Sequence, residues 1–124
     1  MILADTSVWV DHFRRGNAEL ERLLEAGEVL MHPLIAGELA CGSLHRRAET
    51  LHALDCLPAL PPATPEVVRS AIELHAWWGR GIGWVDAHLA ASALIARVPL
   101  WTLDRRLASV VAKLGIERSG TVRR

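Results

Sequence analysis

This chain holds two cysteines, one phenylalanine, one lysine and no tyrosine. Each shortage excludes something. Cys41 and Cys56 stand alone, without a CxxC pair or a histidine at zinc-ligand spacing, so neither a disulfide framework nor a cysteine-based zinc site is expected. Two isolated thiols suit a reducing cytoplasm, where they are expected as small core residues. Long apolar runs are missing as well. The longest uncharged apolar stretch, Ala87 to Ala96, is about half of a bilayer span. The N-terminus has neither the basic start nor the long apolar segment of a secretory signal. No membrane association is expected, and the cytoplasm is the expected compartment. Net charge is also lacking: 14 basic and 14 acidic residues cancel to +0. That excludes the strong cationic field from which non-specific nucleic-acid binders draw their affinity.

What is present is globular. Apolar residues make up 51% of 124 residues, with five tryptophans, enough for one domain over residues 1–124 with a core that needs no staples. Met1–Asp5 reads as a short buried strand, Ser7–Arg14 as a helix, and Asn17–Ala26 as a second helix capped by Asn17 and ended by Gly27. Glu28–His32 reads as a strand, Pro33 opens a helix to about Cys41, and Leu44–Leu54 reads as another helix. Leu57–Ala63 is proline-rich, a loop with room for one short strand. Thr64-Pro65-Glu66 is a helix start, and that helix is expected to reach Trp78. Gly79–Gly83 is a glycine-rich break. Trp84–Arg97 is a helix, Pro99–Leu103 a strand, Arg105–Leu114 a helix, and Ile116–Ser119 a final edge strand. Short apolar strands alternating with helices predict an α/β domain with a mostly parallel sheet covered on both faces.

Four acids fall where a core should resist them. Asp5 ends the run Met1-Ile2-Leu3-Ala4, and Asp104 ends Pro99-Leu100-Trp101-Thr102-Leu103. Glu38 and Asp86 interrupt apolar stretches that read as helices. Leu34, Ile35 and Cys41 share a helix face with Glu38, which therefore projects from an apolar stripe. A carboxylate against a core needs a cation, hydrogen bonds or a metal ion. In open parallel sheets ligands bind beyond the carboxyl ends of the strands, and Asp5 and Asp104 both lie at such ends. Singly, Asp86 is explained by helix-dipole complementarity and Asp104 by N-capping. As a set, the four point to a divalent cation. Two carboxylates about 4 Å apart repel by roughly 4 kcal/mol at an effective dielectric near 20, and hard oxygen ligands select Mg²⁺ or Mn²⁺ over zinc or copper.

The same four positions carry a family resemblance. Asp5-Thr6-Ser7-Val8-Trp9-Val10 resembles the opening motif of PIN-domain ribonucleases. Ala36-Gly37-Glu38-Leu39-Ala40-Cys41-Gly42 is similar to their second acidic motif, and Val85-Asp86-Ala87-His88-Leu89-Ala90-Ala91-Ser92-Ala93 to the third. Leu100-Trp101-Thr102-Leu103-Asp104 resembles the fourth. Each is weak alone; four in order over nearly the whole chain are specific. The compact size looks most like a VapC-type toxin of a toxin–antitoxin pair. The resemblance implies a three-layer α/β/α sandwich with a five-stranded parallel sheet. It implies Mg²⁺- or Mn²⁺-dependent endoribonuclease activity on structured RNA such as tRNA or rRNA, a homodimer, and a VapB-type antitoxin as partner. Asp5, Glu38, Asp86 and Asp104 would be the metal ligands and catalytic set, with Thr6, Ser7 and Thr102 orienting ligands or touching phosphate.

There is one departure. The family often places a second acid and a Phe just after the fourth motif; here Arg105-Arg106-Leu107 follows Asp104, which leaves the ion count open. The paired arginines at 14–15, 46–47, 105–106 and 123–124 read as solvated faces, although their forks fit phosphate oxygens. The six histidines lack HExxH spacing and read as ordinary surface or core residues. Trp77 and Trp78 read as core packing, with base stacking as the functional alternative. Gly79–Gly83 has no lysine and follows a helix, so it is no P-loop but a flexible turn that sets up Asp86. Two rival functions are a catalytically idle PIN-like binding module and a haloacid-dehalogenase-type phosphatase. The latter needs an aspartate where Ser7 stands.

Overall fold

The computed structural model describes residues 1–118. Its elements run β1 (Ile2–Ala4), α1 (Thr6–Arg15), α2 (Ala18–Glu25), β2 (Val29–Leu30), α3 (Pro33–Ala40), α4 (Arg47–Asp55), α5 (Pro65–His75), α6 (Trp84–Ala96), β3 (Leu100–Trp101) and α7 (Arg105–Leu114). The strands form a parallel sheet in the order β2-β1-β3. Ile2 and Leu3 pair with Val29 and Leu30, and Leu3 and Ala4 with Leu100 and Trp101. All three strands are fully buried. Parallel neighbours need helical crossovers, and the crossovers bring the covering helices.

The expected five strands are not there: the sheet of the described residues has three. On its two outer edges lie single parallel bridges, Met31 to Ala59 and Leu100 to Glu117. Proline accounts for the first. Met31 N–H donates to Pro58 O at 2.8 Å and Leu60 N–H to Met31 O at 2.8 Å. Pro58, Pro61 and Pro62 have no N–H with which to extend the ladder. On the other edge Leu100 N–H donates to Ile116 O at 2.8 Å, and the expected strand end at Ser119 lies outside the described residues.

Helix signals in the sequence translate directly. Asn17 Oδ1 accepts from Leu20 N–H at 2.9 Å, and Thr64 Oγ1 from Val67 N–H at 3.2 Å. Helix α5 stops at His75, short of Trp78, because Ala76 turns left-handed (φ +54°). Helix α4 begins at Arg47, three residues later than expected, after a left-handed Arg46. The helices pack in two groups. Helix α1 meets α2, α3 and β1, and α3 meets α4; helix α6 meets α5, α7 and β3. A contiguous apolar cluster includes Leu3, Val8, Leu20, Ile35, Leu89, Leu100 and Leu107. Trp77 belongs to it, whereas Trp78 is exposed. Cys41 and Cys56 are both exposed, against the expectation of core thiols: each follows the last turn of its helix, where the chain has already left the core face. No helix among the described residues is long and apolar enough to cross a membrane.

Candidate active site

Each strand is followed within three residues by one that caps the next helix. Asp5 follows β1 and caps α1, His32 stands between β2 and α3, and Asp104 caps α7 after β3. Because the strands are parallel, the three caps lie along one edge of the sheet. The topology therefore brings Asp5 and Asp104, 99 positions apart, to neighbouring strand ends.

Asp5 is the most enclosed of the acids, 4% exposed. Its Oδ1 accepts from Ser7 N–H at 3.0 Å and from the Ser7 hydroxyl at 2.5 Å, and its Oδ2 accepts from Thr102 Oγ1 at 2.7 Å. Burial pushes its carboxyl above the usual range even though these hydrogen bonds act the other way. Ser7 and Thr102 are tied in turn. Ser7 Oγ accepts from Leu103 N–H at 2.9 Å, and Thr102 Oγ1 from Asp104 N–H at 3.0 Å. The hydroxyls thus join the start of α1 to the end of β3 and fix Asp5 in one orientation.

Asp104 is exposed, and its Oδ1 accepts from Arg106 N–H at 2.9 Å and Leu107 N–H at 3.1 Å. The capping role read from the sequence is therefore real, and it leaves Oδ2 uncommitted among the described residues. Asp86 is half-buried in the first turn of α6. Burial raises its pKa first; the Gly83 N–H opposes that, and repulsion from Asp5, Asp104 and Glu38 adds to it. The Gly83 contact is the backward reach of a capping box, from the third helical residue to the cap.

Glu38 differs from expectation. It is exposed rather than set within an apolar stripe. Helix α3 buries Ile35 and Leu39, and the roughly 100° step from Leu39 back to Glu38 carries the carboxylate to the rim. There Thr6 Oγ1 donates to Glu38 Oε1 at 2.5 Å. Thr6, Ser7 and Thr102 thus all touch one of the four acids or its neighbours.

The four carboxylates are close enough for three to raise the pKa of the fourth. Among the described residues none of them is in an ion pair. Such a donor set, all oxygen, mutually repelling and without a cation, suits a hard divalent ion. It is not a finished cage: among the described residues no three His, Cys, Asp or Glu side chains stand ready to hold a metal. Glu38 is turned toward Thr6 and one Asp104 oxygen toward the α7 backbone, which accounts for that.

The order of the four motifs, the parallel sheet and the shared carboxylate edge agree with a match to the PIN domain family model over residues 2–113. Ribonuclease VapC32 of Mycobacterium tuberculosis, from strains CDC 1551 / Oshkosh and ATCC 25618 / H37Rv, is 43% identical over 117 residues, covering 94% of either chain. The chain belongs to the PIN-domain family, among its VapC-type members. The PIN fold also appears in the crystal structure of PAE2754 from Pyrobaculum aerophilum. That structure superposes with a TM-score of 0.61 at 19% identity, covering 92% of this chain and 94% of the other.

Two features of this PIN domain went unread in the sequence. One is a buried polar pair. His32 is 0% exposed; its Nδ1 accepts from Leu34 N–H at 3.1 Å, and its Nε2 lies 3.1 Å from Ser92 Oγ. Ser92 Oγ also accepts from Ala63 N–H at 2.9 Å. Burial, followed by the neighbouring His88, lowers the His32 pKa to about 4. His32 before Pro33 was the available signal, since a cap must precede a first-turn proline. The other is the partnership of Arg80 with Arg105 and Arg106, which line one groove. No local signal joins residues so far apart.

Proposed function

We propose that this chain is a single α/β/α PIN domain acting as a VapC-like, Mg²⁺- or Mn²⁺-dependent endoribonuclease toxin. It hydrolyses phosphodiester bonds in structured RNA such as tRNA or rRNA, works in the cytoplasm as a homodimer, and is neutralised by a VapB-type antitoxin. The observation that carries the reading is the coupling of Asp86 to Asp5, Asp104 and Glu38 with no cation partner among the described residues. The relative named a ribonuclease supports it across nearly the full length.

Asp5, Glu38, Asp86 and Asp104 would hold the ion. When bound, it would polarise the scissile phosphate and lower the pKa of an attacking water. The protein's own part is positional. Ser7 and Thr102 hold both oxygens of Asp5, and Thr6 holds Glu38, so the carboxylates keep one arrangement while RNA arrives. Burial raises the pKa of both Asp5 and Asp86, so these two are the acids prone to hold a proton before a cation arrives. No side chain is needed as a covalent nucleophile.

One observation favours the catalytically idle binding module instead: the absence of a ready-made metal-holding group among the described residues. Incubating a pool of tRNA and rRNA with Mg²⁺ or Mn²⁺, with and without EDTA, separates the two. Discrete fragments that require metal and vanish with Asp5→Asn are expected. RNA left intact by folded, metal-loaded protein would select the idle module.

A further inference from the structure

We propose that the groove lined by Arg80, Arg105, Arg106 and Ser109 is a phosphate-binding subsite that holds the RNA strand beside the four carboxylates. This rests on the ribonuclease reading and adds the residues that make RNA approach possible. Four converging carboxylates repel a polyanion, and the protein has no net positive charge to offset them. The offset has to be local.

The groove has a volume of about 570 Å³ and no carboxylate in its lining. Five of the other arginines are engaged, whereas Arg14, Arg69 and Arg97 are in no ion pair among the described residues but do not gather in one groove. Arg15 pairs with Asp11, Arg22 and Arg118 with Glu19, and Arg46 with Glu49, while Arg47 donates to the carbonyls of Ala40 and Gly42. Among the described residues, none of the three groove arginines is in an ion pair. Two of them are held in place without losing charge. Arg80 Nη2 donates to Ser109 Oγ at 3.2 Å. Arg106 lies across Gly81, whose φ is +83° and where a Cβ would fall 2.6 Å from Arg106 Cδ. The glycine-rich break is thus the bed on which Arg106 rests. A fork held in this way loses less rotamer freedom on meeting phosphate.

Position completes the case. Arg105 directly follows Asp104, so the groove borders the acidic centre. The groove near Ser7 and Leu103 is less suited, because Asp11 lines it and engages Arg15 at 2.6 Å. The strand is therefore gripped from the α7 side, by phosphates flanking the one to be cut.

The test measures binding of a fluorescein-labelled, mixed-sequence RNA oligonucleotide in EDTA, across roughly 50 to 200 mM salt. Wild type is compared with the triple variant R80A/R105A/R106A, with R105K/R106K, and with Arg22→Gln as a charge control. The triple variant should bind about 10-fold more weakly and lose roughly 2 from the log–log salt slope, at about 0.7 per phosphate contact. The lysine variant should keep the slope, and Arg22→Gln should match wild type. In metal-dependent cleavage the triple variant should raise KM and leave kcat at saturating RNA within about twofold. Unchanged affinity and slope in a folded triple variant of a protein that cleaves RNA would overturn the subsite alone. So would a fall in kcat with KM unchanged. If wild type neither binds nor cleaves RNA, the ribonuclease reading fails and the subsite falls with it.

Discussion

Asp5 and His32 occupy equivalent places and do opposite things. Each follows a strand, each caps a helix, each is almost fully buried, and their strands are neighbours. His32 stays neutral. One ring nitrogen accepts a backbone N–H, the other meets a hydroxyl, and that hydroxyl is itself used by Ala63. The account closes within the protein, so His32 reads as architecture. Asp5 is given hydroxyl and amide donors and no cation, and it is one of three carboxylates that repel Asp86. Its account stays open, and an open electrostatic account at a strand end marks a site. Burial alone does not separate the two; the charge left over does.

Breaking the contrast at its charged end should have the largest effect. Asp5→Asn keeps the shape and most hydrogen bonds, so cleavage should fall by about 10³-fold or more while the melting temperature holds or rises. An RNA-cleavage time course beside a calorimetric scan checks both. His32→Ala should give the reverse pattern. It strands the Leu34 N–H and leaves a cavity, at about 2–4 kcal/mol of stability, with activity per folded molecule unchanged.

The pH dependence sharpens the same difference. The folded His32 pKa of about 4 lies below the ordinary 6.5, so the unfolded chain binds the proton first. Stability should therefore be complete above pH 6.5 and decline as pH falls toward 4, by on the order of 3 kcal/mol. Urea titrations across that range should show the decline in wild type and lose that component in His32→Ala.

Thr102→Val removes one donor from Asp5 and should lower kcat/KM by roughly 10- to 100-fold, with KM for RNA little changed. The smallest effect is expected from Asp86→Asn on stability. A raised carboxyl pKa means that folding stability is lost as pH climbs through the folded value, so the neutral asparagine should be more stable at pH 7 by a few degrees. The gain should vanish below the ordinary aspartate value of 3.8, and Mg²⁺ or Mn²⁺ should narrow it by stabilising wild type more. Equal melting curves at every pH would show that neither burial nor repulsion raises the Asp86 carboxyl in the folded protein.

Much of this was legible beforehand for local reasons. Asn17, Thr64 and Asp104 announced their helices because capping is settled within three or four residues. The four acids were legible because each interrupts an apolar run. Misreadings came where a neighbour in space overruled a neighbour in sequence. Glu38 shares a stripe with Leu34 and Ile35 on paper, yet its surroundings leave it at the rim beside Thr6. The edge strands shrank to bridges for want of N–H donors on one side. Cys41 and Cys56 look like core residues until the helix ends place them outside.

By itself the sequence determined the element order, the parallel sheet and the identity of the acids, since these follow from apolar periodicity, caps and short-range sterics. Only the tertiary structure decided that Asp5, Glu38, Asp86 and Asp104 share one electrostatic environment. It alone decided that His32 and Ser92, 60 positions apart, satisfy each other, and that Arg80 joins Arg105 and Arg106 across Gly81. Coulomb repulsion and hydrogen bonding act over a few ångströms of space, and only folding sets those distances for residues far apart in the chain.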